Sequence, residues 1–246
     1  MKRPPVQTGK PEARRRPPPP DVSFLGTQCP IKVTQVPTSD LDVFLREVCI
    51  DRNLPNHYPR HFFQSPSEPD QAVVLLYPKH LLPTAFSLQF KLHPYTFKER
   101  EEDLSAEVLT FALNTNAREG TLELLGALPF AHSLLMVYGL RSAASTPYRF
   151  AVEELNVPFE KQTVCDFLNE HKHRGKEYRA SVSVDNVIFI IFEHVRDDNK
   201  DYHVALFTEP SSSLAPFLYN EIRKYMFTGA LVHPSTQNML VVVKPL

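Results

Sequence analysis

Side chains that could bind a metal ion or act as a nucleophile are concentrated in the second half of the chain. Cys165, His171 and His173 lie close together in sequence, and His194 follows as a fourth candidate. Cysteine and histidine are the ligands that zinc prefers. On a helix, however, Cys165 and His171 would face different sides. The simpler interpretation is a small buried thiol beside a helix end with exposed histidines, so we predict no metal site and no thiol nucleophile.

Carboxylates are the other chemical candidates, because a metal-dependent nuclease needs several of them converging from separate elements. The acidic residues of 99–103 lie at the start of a predicted helix, where the helix dipole favours negative charge. Glu107 and Glu123 are single acids without an obvious partner, and we expect Glu123 to face solvent or a groove. With only 7 glycines and no phosphate-binding motif, a nucleotide-cradling loop is not expected either.

The composition excludes several classes of protein. The 246 residues contain 27 basic and 28 acidic side chains, a net charge of −1, which excludes a nucleic-acid binder that works through overall positive charge. The 3 cysteines are too few for a disulfide scaffold, and no apolar run is long enough to span a membrane. Residues 1–20 are rich in proline and arginine. We predict that they form a disordered tail, which either improves solubility or contacts RNA, ahead of a single domain over 21–246.

Hydrophobic periodicity predicts an α+β fold with a mixed, mainly antiparallel sheet and flanking helices. Strands are predicted at 31–36, 72–77, 85–92, 121–125, 134–138, 178–184, 187–193, 202–207 and 239–243. Helices are predicted at 41–49, 99–113, 156–171 and 214–226. The segment 53–70 is predicted to be a loop, and Asp185-Asn186 a hairpin turn. We find no internal repeat with matching residues.

The predicted helix at 99–113 carries one apolar stripe. Its members are Leu104, Val108, Phe111 and Ala112. We expect this stripe to pack on the sheet that carries Phe86, Leu88 and Phe90, because the helical and strand periodicities direct both apolar faces to one core.

A stretch in the middle of the chain has a recognisable arrangement. Phe90-Lys91 belongs to a predicted strand, the next helix closes on the sequence FALNT over 111–115, and Gly120 and Gly126 bracket the following strand. This arrangement resembles the core of the Schlafen-type domain, also called the AlbA-like domain. The family pattern reads E-F-K, then a helix that ends in F-A-N-T, then a strand between two glycine positions. The resemblance covers residues 88–128 and implies a Schlafen/AlbA-like α+β fold.

The resemblance also implies which residues would form a catalytic site. Active members of the family hold a metal ion with the glutamate of E-F-K, an upstream acid on the same strand and an acid after the second glycine. Gln89, Thr84 and Leu128 occupy those positions here. A neutral amide, a hydroxyl and an apolar side chain cannot hold Mg²⁺ or Mn²⁺. We therefore expect no catalytic residue, no metal and no cofactor.

These departures predict a non-catalytic Schlafen-like subunit that supports a catalytic Schlafen-domain partner in a hetero-oligomer. By this resemblance the complex would be an endoribonuclease of the kind that processes the 5′ ends of piRNA precursors, in the cytoplasm or held at an organelle surface through a partner. The chain would contact RNA within that complex. The candidate contact residues are Lys91, Lys98, Arg100 and Arg141.

Two alternatives remain open. The chain could be a metal-dependent ribonuclease by itself that uses displaced acids, such as Glu119 and Glu123. It could also be an adaptor or scaffold protein unrelated to RNA. A groove lined by the four candidate RNA-contact residues and His132 would argue against this last alternative.

Overall fold

In the computed structural model, the described residues are 31–50, 57–78, 90–96, 104–117, 122–130, 133–140, 150–194, 201–207, 214, 217–218, 224–236 and 238–245. The strands are β1 (Lys32–Pro37), β2 (His57–Gln64), β3 (Gln71–Pro78), β4 (Phe90–Thr96), β5 (Leu122–Phe130), β6 (Ser133–Leu140), β7 (Phe150–Glu154), β8 (Lys176–Val184), β9 (Val187–His194), β10 (His203–Phe207), β11 (Tyr225–Val232) and β12 (Met239–Pro245). The helices are α1 (Leu41–Ile50), α2 (Ala106–Ala117) and α3 (Lys161–His173).

Within these residues the strands form four antiparallel sheets with one shared topology. The strand orders are β1-β3-β2, β4-β6-β5, β7-β9-β8 and β10-β12-β11. Each sheet therefore belongs to a β-α-β-β unit whose third strand lies in the middle, and helical residues at 214, 217 and 218 fall where the fourth unit requires a helix. This confirms the α+β class and the antiparallel pairing. The four units share this topology but not residue identities, so the sequence shows no repeat with matching residues although the strand order repeats.

The four units are arranged as a closed ring. The second strand of each unit contacts the second strands of its neighbours: β2 meets β5, β5 meets β8, β8 meets β11, and β11 returns to β2. We call β2, β5, β8 and β11 the axial strands, because the four sheets radiate from the axis that these strands surround. Radial repetition of this kind leaves only short sheet edges at the periphery.

The hydrophobic core lies between successive sheets of the ring. On β9, Ile190 and Phe192 pack with residues of the fourth unit, whereas Phe189 and Ile191 pack with residues of the second unit. The same division holds for β3, β6 and β12, whose alternate residues face the two neighbouring units. The central strand of each sheet is thus buried on both faces, which explains its uninterrupted apolar sequence.

The hairpin predicted between β8 and β9 is confirmed. Asp185 and Asn186 adopt φ angles of 49° and 77°. These angles lie in the left-handed region that a two-residue hairpin turn requires. Asparagine and aspartate tolerate this region better than other non-glycine residues because their short polar side chains can bond locally.

Two axial strands were wrongly assigned from the sequence. The segment 57–64, predicted to be a loop, is β2, and its Phe62 and Phe63 are buried. Pro59 is tolerated there because β2 is an edge strand of its own sheet and bulges beside that residue. The segment 225–226, predicted to end a helix, begins β11. Both strands are stabilised by neighbouring units, which a local pattern does not reveal.

Other boundaries also differ from the predictions. The strand that begins at Leu122 continues through Gly126 to Phe130, and β7 was not predicted at all. The helix predicted at 156–171 is α3, which begins only after Glu160, and the helix predicted to end at 113 continues to Ala117. Within the described residues, no helix has the length and apolar character that a membrane span requires.

The buried face of α2 is not the predicted stripe. Phe111 is 73% exposed and Val108 lies at the surface, whereas Leu109 and Leu113 are fully buried. Of the predicted stripe, only Leu104 and Ala112 are on the core side: Leu104 packs against the core and Ala112 is buried. The expectation for Phe111 was therefore wrong. The backbone of Phe90 lies in β4, and Phe86 and Leu88 lie outside the described residues.

The two faces of α2 lead to a testable difference. Leu113→Ala should lower the free energy of unfolding by about 2–5 kcal/mol, because it removes a fully buried side chain and leaves a cavity. Phe111→Ala should change it by less than about 0.5 kcal/mol, the usual range for surface substitutions. Chemical denaturation of both variants measures the difference. A larger loss for Phe111→Ala than for Leu113→Ala would show that the orientation of α2 described here is wrong.

Candidate functional site

The axial strands share a β-bulge at equivalent positions. The register shifts between Pro59 and His61, Leu124 and Gly126, Tyr178 and Ala180, and Phe227 and Gly229. The extra residues are Arg60, Leu125, Arg179 and Thr228. A bulge redirects side chains and is typical of functional sites. The two arginines, in the first and third units, stand at opposite places in the ring.

One of these arginines joins the first unit to the second. Arg60 donates from both terminal nitrogens to both carboxylate oxygens of Glu123, each at 2.9 Å. Glu123 is only 4% exposed. Its expected orientation towards solvent or a groove, without a partner, was therefore wrong. The partner could not be recognised from the sequence because it lies 63 positions away on another unit.

The other arginine belongs to a network in the third and fourth units. Arg179 donates to Glu193, and to Glu177 at 3.1 Å. Lys244 of the fourth unit donates to Glu177 at 2.6 Å. Burial disfavours the charged form of Arg179, but the neighbouring carboxylates outweigh this effect and raise its pKa.

We call Arg60, Glu123, Glu177, Arg179, Glu193 and Lys244 the axial charge cluster. Its three cations and three carboxylates balance, so its formal charge is zero. His61 lies beside it, against the rings of Tyr77 and Phe227, and burial together with the Arg60 guanidinium holds the pKa of His61 well below its usual range. Each charged group of the cluster is held by an opposite charge, and the Arg60–Glu123 and Lys244–Glu177 pairs join neighbouring units.

The axis itself is tightly packed. The cavity between the axial strands measures about 10 Å³. That is no more space than one water molecule occupies. A Cβ atom added at Gly126 would lie 2.7 Å from the Cβ of Phe62 and against its carbonyl oxygen, and one added at Gly229 would meet the ring of Tyr178 at 2.6 Å. Glycine is needed at both positions because a neighbouring unit approaches the backbone closely. Among the residues that the structure describes, the space between the axial strands is therefore too small for a substrate.

The resemblance placed three positions at a catalytic site, and the structure describes one of them. Leu128 lies on β5, is 1% exposed, and packs with Leu125 and Val137 in the cluster between the first and second units. It is a core residue. Thr84 and Gln89 lie outside the described residues.

The candidate RNA-contact residues are only partly described. Lys91 is placed on β4, opposite Tyr138 in the backbone register. Lys98, Arg100, Arg141 and His132 lie outside the described residues, as does Glu119. Their attachment points differ: 98 and 100 follow Thr96 at one end of β4, whereas 141 follows Leu140, which is beyond the opposite end of the β4–β6 pair. Of the four basic residues, the structure thus places only the backbone of Lys91.

The cysteine and histidines of α3 are structural. Burial raises the pKa of the Cys165 thiol, which donates to the carbonyl of Tyr202 at 3.2 Å. His171 packs between the rings of Phe167 and Phe192. His173 is exposed beside Asp201. Among the residues that the structure describes, no group of three or more histidine, cysteine, aspartate or glutamate side chains is arranged to hold a metal ion.

Two helices fasten each unit to the next through an asparagine. Asn114 of α2 accepts from the backbone N–H of Phe150 and donates to its carbonyl, both at 2.8 Å. Asn169 of α3 holds Tyr202 in the same way, at 2.7 and 3.3 Å. One turn earlier on α2, Thr110 accepts the N–H group of Val152, and at the equivalent position of α3 the Cys165 thiol donates to the carbonyl of Tyr202. Each asparagine thus pairs backbone groups at the start of an outer strand, where an edge would otherwise be exposed.

The asparagine contacts predict a loss of stability on truncation. Asn114→Ala should lower the free energy of unfolding by about 1–3 kcal/mol, because two backbone groups of Phe150 lose their partners. Thr115→Ala is the control, since its exposed hydroxyl bonds only within its own helix. The control should cost less than about 0.5 kcal/mol, as is usual for surface substitutions. Equal small losses in thermal or chemical denaturation would contradict a joining role for Asn114.

The fold and site define a class of protein: a ring of four β-α-β-β units whose axial strands pack closely and carry a neutral charge cluster. No known family model, curated protein or solved structure matches this chain.

Proposed function

We propose that this chain is a non-catalytic subunit of an RNA-processing endoribonuclease complex, with a Schlafen/AlbA-like relationship over 88–128. The non-catalytic part of the proposal rests on two positions within the region of resemblance, one acid that is held in an ion pair and one position where the expected acid is missing. Glu123 is held by both terminal nitrogens of Arg60, and the position of a metal-binding acid is filled by the core residue Leu128. A metal-dependent nuclease needs carboxylates that are accessible to the ion.

The RNA and partner parts of the proposal rest on the resemblance. In this view a catalytic Schlafen-domain subunit supplies the metal-binding carboxylates, and the present chain supplies a rigid body that holds this partner and contacts RNA through it. A ring of units joined by ion pairs and asparagine contacts is suited to that task, since it presents surfaces in a fixed geometry. The cytoplasm is the proposed compartment, with the 5′ ends of piRNA precursors as the proposed substrate class.

One observation supports the alternative of an adaptor or scaffold protein. The three cations of the axial charge cluster are each paired with carboxylates, so they add no net positive charge that could attract a phosphate backbone. This favours an adaptor or scaffold unrelated to RNA. The stand-alone ribonuclease has no such support, because Glu123 is already paired.

Purification from the native cell type tests the proposal. The tagged chain should recover a partner and a metal-dependent activity that cleaves RNA, while the chain purified alone should be inactive. The tagged Gly126→Ala variant, in which the packing of the axial strands is disturbed, serves as a comparison. Purification of this variant should recover less partner and less activity. A chain that elutes alone, or with partners that lack nuclease activity, would favour the adaptor instead.

A further inference from the structure

A second cavity lies away from the axis, on the third and fourth units. It is at the hairpin end of β8 and β9, whereas the axial charge cluster is at the opposite end of these strands. Its volume is about 360 Å³. Ligand pockets typically measure about 300–1,000 Å³, so this volume suits a small ligand or a single side chain. The lining residues that matter here are Glu154, Asn156, Phe159, Asn186 and His233.

Hydrogen bonds between separate segments hold this cavity open. The backbone N–H of Leu155 donates to the carbonyl of Ile188 at 2.8 Å, and the hydroxyl of Ser235 donates to the side-chain oxygen of Asn186 at 2.9 Å. The second bond joins the turns of the third and fourth units. The cavity is therefore largely formed before any ligand arrives, which lowers the entropic cost of binding.

The neighbours of His233 set the tautomer of its neutral ring. Its Nδ1 accepts the backbone N–H groups of Ser235 and Thr236, at 3.1 and 3.2 Å. A nitrogen that accepts cannot carry the proton of the neutral ring, so Nε2 bears it and is a hydrogen-bond donor. The imidazole packs edgewise with the ring of Phe159, at 5.0 Å between centroids.

The charge of the cavity favours a cation. Among the described residues that line it, Glu154 carries the only formal charge, and none is a lysine or arginine. The N-terminus of α3 is close in sequence and would attract an anion, but the acidic Glu160 occupies its N-cap. A cavity lined by one acidic and one aromatic residue suits a guanidinium better than an ammonium, because the guanidinium is planar, can bond a carboxylate through two donors and stacks on rings.

We propose that this cavity binds an arginine side chain presented by a partner peptide, with the guanidinium on the Glu154 carboxylate and the Phe159 ring. The Nε2–H of His233 donates to a backbone carbonyl of the same peptide. This site is independent of the proposed role in RNA processing, since any protein partner with an accessible arginine has the required chemistry.

Titration of the isotope-labelled full chain with the peptide acetyl-Gly-Arg-Gly-amide tests the site. Amide resonances of residues 154–157, 159, 186–188, 233, 235 and 236 should shift and saturate with millimolar affinity. The matched peptide with citrulline, which has the same shape without the charge, should bind at least about tenfold more weakly, as expected when a charged hydrogen bond is lost. Equal binding of the two peptides, or shifts centred elsewhere, would overturn the proposal.

Three variants separate the proposed contacts from general charge effects. Glu154→Gln should weaken binding of the arginine peptide about tenfold or more. Phe159→Leu should weaken it about threefold, through loss of the cation–π contact. Glu107→Gln makes the same charge change at an exposed position of α2 and should leave binding unchanged. Unchanged binding in Glu154→Gln, with its spectrum showing a folded chain, would overturn the proposal, and so would an equal loss in Glu107→Gln.

Discussion

Gly126→Ala is expected to lower the free energy of unfolding by about 3 kcal/mol, the upper part of the usual range for overpacking. The added methyl group would meet the Cβ and the carbonyl oxygen of Phe62 on the neighbouring axial strand. Backbone atoms cannot rotate away as a flexible side chain can, so β5 and β2 would have to separate. That separation would also disturb the adjacent Arg60–Glu123 ion pair, since both partners lie on the same two strands.

The third unit provides the matched control for this substitution. Ala180 occupies the position after the bulge of β8 that Gly126 occupies on β5. Ala180→Gly removes a methyl group where one is already accommodated, and it should cost only about 0.5–1 kcal/mol through backbone entropy and lost packing. Chemical denaturation compares the two variants. A cost for Gly126→Ala no greater than that for Ala180→Gly would mean that the axial strands do not approach as closely as described.

Glu123→Gln should lower the free energy of unfolding by about 3–5 kcal/mol, as expected when one partner of a buried ion pair is lost. The amide keeps the shape of the carboxylate but leaves the Arg60 guanidinium without its bidentate acceptor. The double variant Arg60→Met/Glu123→Leu should recover most of this loss, because replacing both charges with apolar groups is often neutral.

An exposed pair is the control for the charge change. Glu170→Gln disrupts the pair with Arg174 on the surface of α3. Because exposed ion pairs contribute little, this change should alter stability by less than about 0.5 kcal/mol. Thermal and chemical denaturation of the three variants and the wild type test the expectation. A double variant as unstable as Glu123→Gln would contradict this expectation. It would show that the ion pair stabilises the fold by more than the neutralisation of its two charges.

The elements that could be predicted from the sequence are those whose pattern is set by their own sheet. The central strands β3, β6, β9 and β12 each contain a continuous apolar run because both faces are buried, and all four were predicted at nearly their observed bounds. The axial strands β2 and β11 were missed because their burial comes from other units of the ring. Pro59 and the two histidines of β2 resemble a loop when the neighbouring units are not known.

The contacts of the candidate site could not be predicted for a related reason. Glu123 and Arg60 are on different units, as are Asn114 and Phe150, and nothing in the sequence around either member of a pair indicates the other. Gly126 was one of the two glycines on which the resemblance rests. The structure shows why a glycine is required there, because Phe62 lies too close to leave space for a side chain. The predicted orientation of α2 was wrong because Phe111 continues the apolar stripe in the sequence but is exposed in the structure, where Leu109 and Leu113 fill the core.

The most direct test of the central claim compares metal-dependent RNA cleavage by the chain alone and by the chain with its native partner. The purified chain with Mn²⁺ and a single-stranded RNA should give no cleavage above a metal-free control, because Glu123 is neutralised by Arg60 and Leu128 is a core residue. The complex should cleave, and substitution of the partner's metal-binding acids should abolish that activity. Robust cleavage by the chain alone, lost on Glu123→Gln in a variant that remains folded, would contradict the non-catalytic account.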